Sequence, residues 1–100
     1  MSNIFTLARE SSGEPFAFEV DGETLTLAHM GDVDQYALAE LYAADDGDLA
    51  YMVGLFDLAA GDDAARLRAL KLPRASLVSL HSAYMEHCGS SAGESPASSD

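Results

Sequence analysis

Basic residues are scarce in this sequence: five Lys and Arg stand against seventeen Asp and Glu, giving a net charge of -12 over 100 residues. A field of that sign repels phosphate backbones and anionic lipid surfaces, which argues against ordinary nucleic-acid or membrane partners. Cysteine is scarcer still. Cys88 stands alone, so neither an internal disulfide nor a multi-cysteine zinc cage can form within the chain, and a reducing compartment fits. No apolar run approaches the length of a membrane span, and Met1-Ser2-Asn3-Ile4-Phe5 lacks the basic region and long apolar stretch of a signal peptide. The expected location is the cytoplasm.

Signatures of chemistry are equally thin. The serines crowd toward the C-terminus, and Cys88 has a histidine only beside it in sequence, where adjacent helical residues do not face one another. No glycine loop suited to phosphate is present, and no stretch reproduces the alternating ligands, central Gly and closing Glu of a calcium loop. His81, Met85 and Cys88 fall at i, i+4 and i+7, but no second cluster of soft ligands completes a metal site. The chain therefore reads as a non-enzyme without cofactor or metal.

What is present suffices for one small core: 48% hydrophobic residues, with four Phe and four Tyr. Phe16, Phe18 and Val20 alternate with Ala17 and Glu19, and Leu25 and Leu27 alternate with Thr24 and Thr26, the period of half-buried strands. Asp21-Gly22 between them favours a two-residue type I′ turn, because both central positions need positive φ. The register follows: Val20 opposes Glu23, Phe18 opposes Leu25, and Phe16 opposes Leu27. A third strand is expected around Phe5-Thr6-Leu7.

From Asp32 to Cys88 the pattern is helical. Asp32 with Gln35 resembles a capping box ahead of Ala37, Leu38, Leu41 and Tyr42, and Asp45-Asp46-Gly47 ends that helix. Asp48 is expected to cap a second helix with Leu49, Met52, Val53, Phe56 and Ala60 on its core face, stopped by Gly61. Gly54 inside it eases close packing. Asp62 and Asp63 open a short third helix with Leu67 and Leu70 inward and an Asp62–Arg66 pair. Pro73 then starts a fourth, with Leu77, Leu80, Tyr84 and Cys88 on one face until Gly89 caps it. The fold class is α+β: an N-terminal hairpin, a bundle of about four helices over residues 1–88, and a disordered Ser/Gly-rich tail over 89–100.

Two features bear on partners. The second helix is apolar nearly all round, with Tyr51, Leu55 and Leu58 opposite its core stripe, so it is either buried or half exposed as a docking surface. Arg66, Arg68, Lys71 and Arg74 hold four of the five basic residues within nine positions. An alternative for so acidic a chain is a DNA mimic occupying a basic site on a host enzyme, although its acids gather at turns and helix starts rather than in rows.

With these residues in view, the sequence resembles the tail assembly chaperones of long-tailed phages of actinobacteria. The likeness lies in the hairpin segment Phe16 to Leu27, the acid-rich helical middle, Ala65-Arg-Leu-Arg-Ala-Leu-Lys-Leu-Pro73, Ala83-Tyr-Met-Glu-His87 and the closing Gly93-Glu-Ser-Pro-Ala-Ser-Ser99. That resemblance implies a helper that binds the tape-measure protein and keeps it soluble while the tail tube polymerises. It also implies action in the host cytoplasm, absence from the mature virion, and a longer product of programmed frameshifting that shares this domain and acts as a partner. Self-association is left open.

Overall fold

The computed structural model describes residues 4–91. A β-hairpin, β1 (Phe16–Val20) and β2 (Glu23–Leu27), leads through a 3-10 turn at Met30–Asp32 into four helices, α1 (Gln35–Ala44), α2 (Asp48–Ala60), α3 (Ala64–Ala69) and α4 (Arg74–Ser91), with a second 3-10 turn at Gly61–Asp63 joining α2 to α3. The class is α+β, as the periodicities require. The strands pair antiparallel in the expected register, Phe16 with Leu27, Phe18 with Leu25 and Val20 with Glu23. Asp21 and Gly22 take φ of 51° and 79°, the double positive-φ turn that matches the twist of a two-residue hairpin. Leu25 and Leu27 are buried and Phe16, Phe18 and Val20 half-buried, while Ala17, Glu19, Thr24 and Thr26 face solvent.

The expected third strand does not form. The sheet has two strands, and Ile4, Phe5 and Leu7 stand 83%, 83% and 79% exposed on a segment with no ladder partner. The chain instead folds against the 3-10 turn. Ser12 N–H donates to Asp32 at 2.7 Å and Ser11 Oγ to the same carboxylate at 3.0 Å. Gly31 permits this approach, since a Cβ there would fall 2.3 Å from Ser12 Oγ. Asp32 is thus engaged across twenty residues and does not cap α1. That role falls to Asp34, which accepts from the N–H groups of Tyr36 and Ala37 at 3.0 and 3.2 Å. Gln35, expected to complete the box, donates to the carbonyls of Met30 and Val33.

Gly47 rather than Asp48 holds the N-cap of α2, and Asp48 lies in its first turn, where a carboxylate suits the helix dipole. Gly54 lets α1 and α2 meet closely: a Cβ at that position would sit 2.6 Å from Leu41 Cδ1. Gly61, at φ 54°, ends α2 as expected. Arg66 bonds Asp63 rather than Asp62, and also Glu23 across on the hairpin, each at 3.1 Å. Lys71, at φ 54°, turns the chain before Pro73, whose carbonyl accepts the Leu77 N–H of α4. α4 runs through Gly89 to Ser91 instead of stopping at Gly89, because that glycine does not adopt the positive φ a stop requires. Residues 92–100 of the expected tail lie outside the described residues.

The core gathers Leu25 and Leu27, Val33 and Leu38, Met52, Leu55, Phe56 and Ala59, Leu67, and Leu80, Tyr84 and Cys88. The segment Ala28–Met30 is tied into it on every side. Ala28 N–H donates to the Ala59 carbonyl at 2.8 Å, and the Tyr84 hydroxyl donates to the Ala28 carbonyl at 2.6 Å. Met30 N–H meets Cys88 Sγ at 3.3 Å. Buried His29 accepts from Gly31 N–H at Nδ1, which leaves Nε2 to donate to the Cys88 carbonyl. Among the described residues no helix is long and apolar enough to cross a membrane.

Candidate functional surface

The residues expected to receive a partner do not lie together. Leu55 is 0% exposed at the centre of the core and cannot anchor anything from outside. Tyr51 and Leu58 are half-buried against that core. The two faces of α2 are therefore not an inner and an outer face. Met52, Leu55, Phe56, Ala59 and Ala60 are all buried, and the hairpin, α1, α3 and α4 close around them. Leu49, assigned from its spacing to the core stripe, is 42% exposed, because it sits in the first turn of α2, beyond the neighbours that cover the middle.

Open apolar surface occurs instead where α2 meets α3 and the start of α4. A groove of about 210 Å³ is lined by Val53, Phe56, Leu67, Leu72 and Leu77, with Asp57, Arg68 and Lys71 at its polar margin. A second depression, of about 360 Å³, shares α2 and α4 and is formed by Asp48, Tyr51, Met52, Arg74, Val78 and His81. Val78 there is 46% exposed. Of the expected residues, the structure thus brings Arg68 and Lys71 to one depression and Tyr51 and Arg74 to its neighbour. Arg66 points away to the hairpin.

The four clustered cations divide by partner. Arg68 Nε donates to Asp57 Oδ1 at 2.9 Å, and that carboxylate raises the guanidinium pKa further. Arg66 is held by Glu23 and Asp63. Among the described residues Lys71 and Arg74 are the two of the four without an ion-pair partner. They flank the apolar strip in a chain otherwise coated with acids.

Tyr51 stacks on Tyr42 with ring centroids 5.4 Å apart and their hydroxyls at 3.2 Å. Burial first, and the Tyr42 contact second, push the Tyr51 phenol well above its ordinary pKa. The His81 ring meets Tyr51 and Phe56 edge-on, and Cys88 Sγ is used by Met30 N–H, so His81, Met85 and Cys88 do not form a soft-ligand face. Among the described residues no three His, Cys, Asp or Glu side chains gather as metal ligands. Leu72 and Val78, which complete the surface, carry no signal of their own in the sequence, and Leu77 is expected there only on the core face of the fourth helix. The signal available was Arg74 and Val78 at i, i+4 beside Leu77, a pattern indistinguishable from a core stripe until the neighbours are placed.

Comparison of the chain with family models, with characterised proteins and with solved structures returned no match.

Proposed function

We propose that this protein is a non-enzymatic tail assembly chaperone that holds amphipathic helical segments of a phage tape-measure protein in soluble form. The observation that carries the reading is the apolar groove of Val53, Phe56, Leu67, Leu72 and Leu77 with Lys71 at its margin, beside a second depression that holds Arg74; among the described residues neither cation has an ion-pair partner. A helix laid in such a groove loses its apolar face from water, and acidic residues on its flank find the two cations. The -12 charge of the chaperone keeps the loaded complex dispersed. In this reading the protein works in the host cytoplasm, is left out of the finished virion, and shares its client with a longer frameshifted form.

Co-expression with a tape-measure protein tests it. The wild-type chain is expected to keep the client in the soluble fraction. Leu72→Asp, at a half-buried position of the groove, with Val78→Asp, at an exposed one, is expected to lose that ability while its far-UV circular dichroism stays near wild type. Each lost anchor contact costs roughly 1–3 kcal/mol of binding. Client retention by a folded double variant would remove the groove as the binding surface.

A further inference from the structure

We propose that the free edge of β1 receives the N-terminal arm of a second copy of this chain, as an added β-strand exchanged reciprocally in a dimer. The two-residue turn makes Val20 and Glu23 a hydrogen-bonded pair, and the alternation of an antiparallel ladder then does the same for Phe18 with Leu25 and Phe16 with Leu27. The N–H and C=O groups of Ala17 and Glu19 consequently point away from β2, along an edge that no other strand covers among the described residues. Unpaired edges of this kind are templates for another chain.

Beside that edge lies a groove of about 420 Å³ between β1 and α4, floored by Phe16, Phe18, Val20 and Leu80 and by the small side chains Ser79 and Ala83. Glu19 is its one charged lining residue. The arm supplies what the groove lacks. Ile4, Phe5 and Leu7 are about four-fifths exposed, and residues 4–8 carry no charge, so docking sets no acid against the acidic coat. Phe5 and Leu7 alternate, which places both over the groove in an added strand.

The arm of the same copy cannot serve. Ser11 and Ser12 are fastened to Asp32, and Glu14 carbonyl accepts from His87 Nε2 at 2.8 Å. A chain reversal must therefore fall at or before residue 10. Five residues of returning strand bring Ile4 back only to the level of Pro15 or Phe16, so Phe5 and Leu7 stop short of the Ala17–Val20 edge. A second copy related by a two-fold axis has no such restriction, and each arm then fills the other's groove.

Light scattering coupled to size exclusion, with the full chain across a concentration series, reads the outcome. Wild type is expected to approach twice the 10.5 kDa chain mass as concentration rises. Phe5→Asp with Leu7→Asp, and separately Ala17→Pro, which removes an outward N–H without touching the ladder, are each expected to remain monomeric. Mixing the arm variant with the edge variant is expected to restore a 1:1 species, since one copy keeps an arm and the other an edge. Should Ala17→Pro fail to fold, Ser79→Glu blocks the groove from exposed α4. A wild type that stays monomeric overturns the proposal, and so does a dimer that survives both the arm variant and the edge or groove variant.

Discussion

At the scale of single residues, side chains that sequence invites one to read as chemistry are used as fasteners. Tyr84 and Cys88 close on the backbone of Ala28 and Met30, His29 between them reaches the Cys88 carbonyl and the Gly31 N–H, and burial drives the Tyr84 phenol far above its ordinary pKa, so it stays a neutral donor. Each bond satisfies a backbone group that burial would otherwise orphan, at a cost of about 1–3 kcal/mol apiece. None of the contacts with α4 was legible beforehand, because their partners are more than fifty residues apart. Asp32 is the same case at the surface. The Ser12 N–H, and to a lesser degree Ser11 Oγ, holds its carboxyl below the ordinary 3.8. A depressed folded-state pKa means stability that is present above 3.8 and is lost as pH falls through the folded value. Asp32→Asn should therefore unfold at lower urea concentration than wild type at pH 7, and the gap should narrow as pH falls below 3.8. A gap of constant size over that range would show that the charge of Asp32 contributes nothing.

At the scale of elements, what sequence reveals depends on whether local geometry suffices. The hairpin register was readable because Asp21-Gly22 fixes the turn and the turn fixes every pair beyond it. Gly54 was readable too, since a glycine inside an apolar helix has few purposes other than close approach. The cap of α1 was not. Asp32 and Asp34 are equally able acceptors, and a loop twenty residues upstream decides between them. Nor was the exposure of α2: a helix apolar all round does not declare which turn its neighbours leave open, so Leu49 and Leu55 exchange their expected places. The third strand fails for a related reason, as period-2 alternation at Phe5-Thr6-Leu7 needs an edge within reach. The hairpin carries its own prediction. Gly22 has open space where a Cβ would go, so Gly22→Val introduces backbone strain without a steric clash. Destabilisation of about 1–3 kcal/mol is expected in chemical denaturation. An unchanged midpoint would mean that the turn contributes nothing to holding the hairpin on α2.

At the scale of the whole molecule, charge of one sign sets both stability and the manner of binding, and salt separates the two. With seventeen acids against five bases the chain carries strong repulsion of one sign, while the three ion pairs among the described residues are surface contacts worth only about 0.2–1 kcal/mol each. Raising NaCl from about 10 to 150 mM shortens the Debye length from roughly 30 to 8 Å, so it screens repulsion across the whole molecule while weakening only those few pairs. Repulsion is the larger effect, and melting temperature should rise with salt. Client binding should respond differently. If Val53, Leu72 and Leu77 supply the contact and only Lys71 and Arg74 meet opposite charge, two screened contacts cost roughly tenfold in affinity between 50 and 200 mM salt at most. A phosphate mimic that engages a basic enzyme through six to ten carboxylates would lose about 10³–10⁵ over the same interval and would ignore Leu72→Asp. Titrating a tape-measure helix by calorimetry at both salt concentrations discriminates between them. A loss of a thousandfold or more would transfer the function from the groove to the acidic coat.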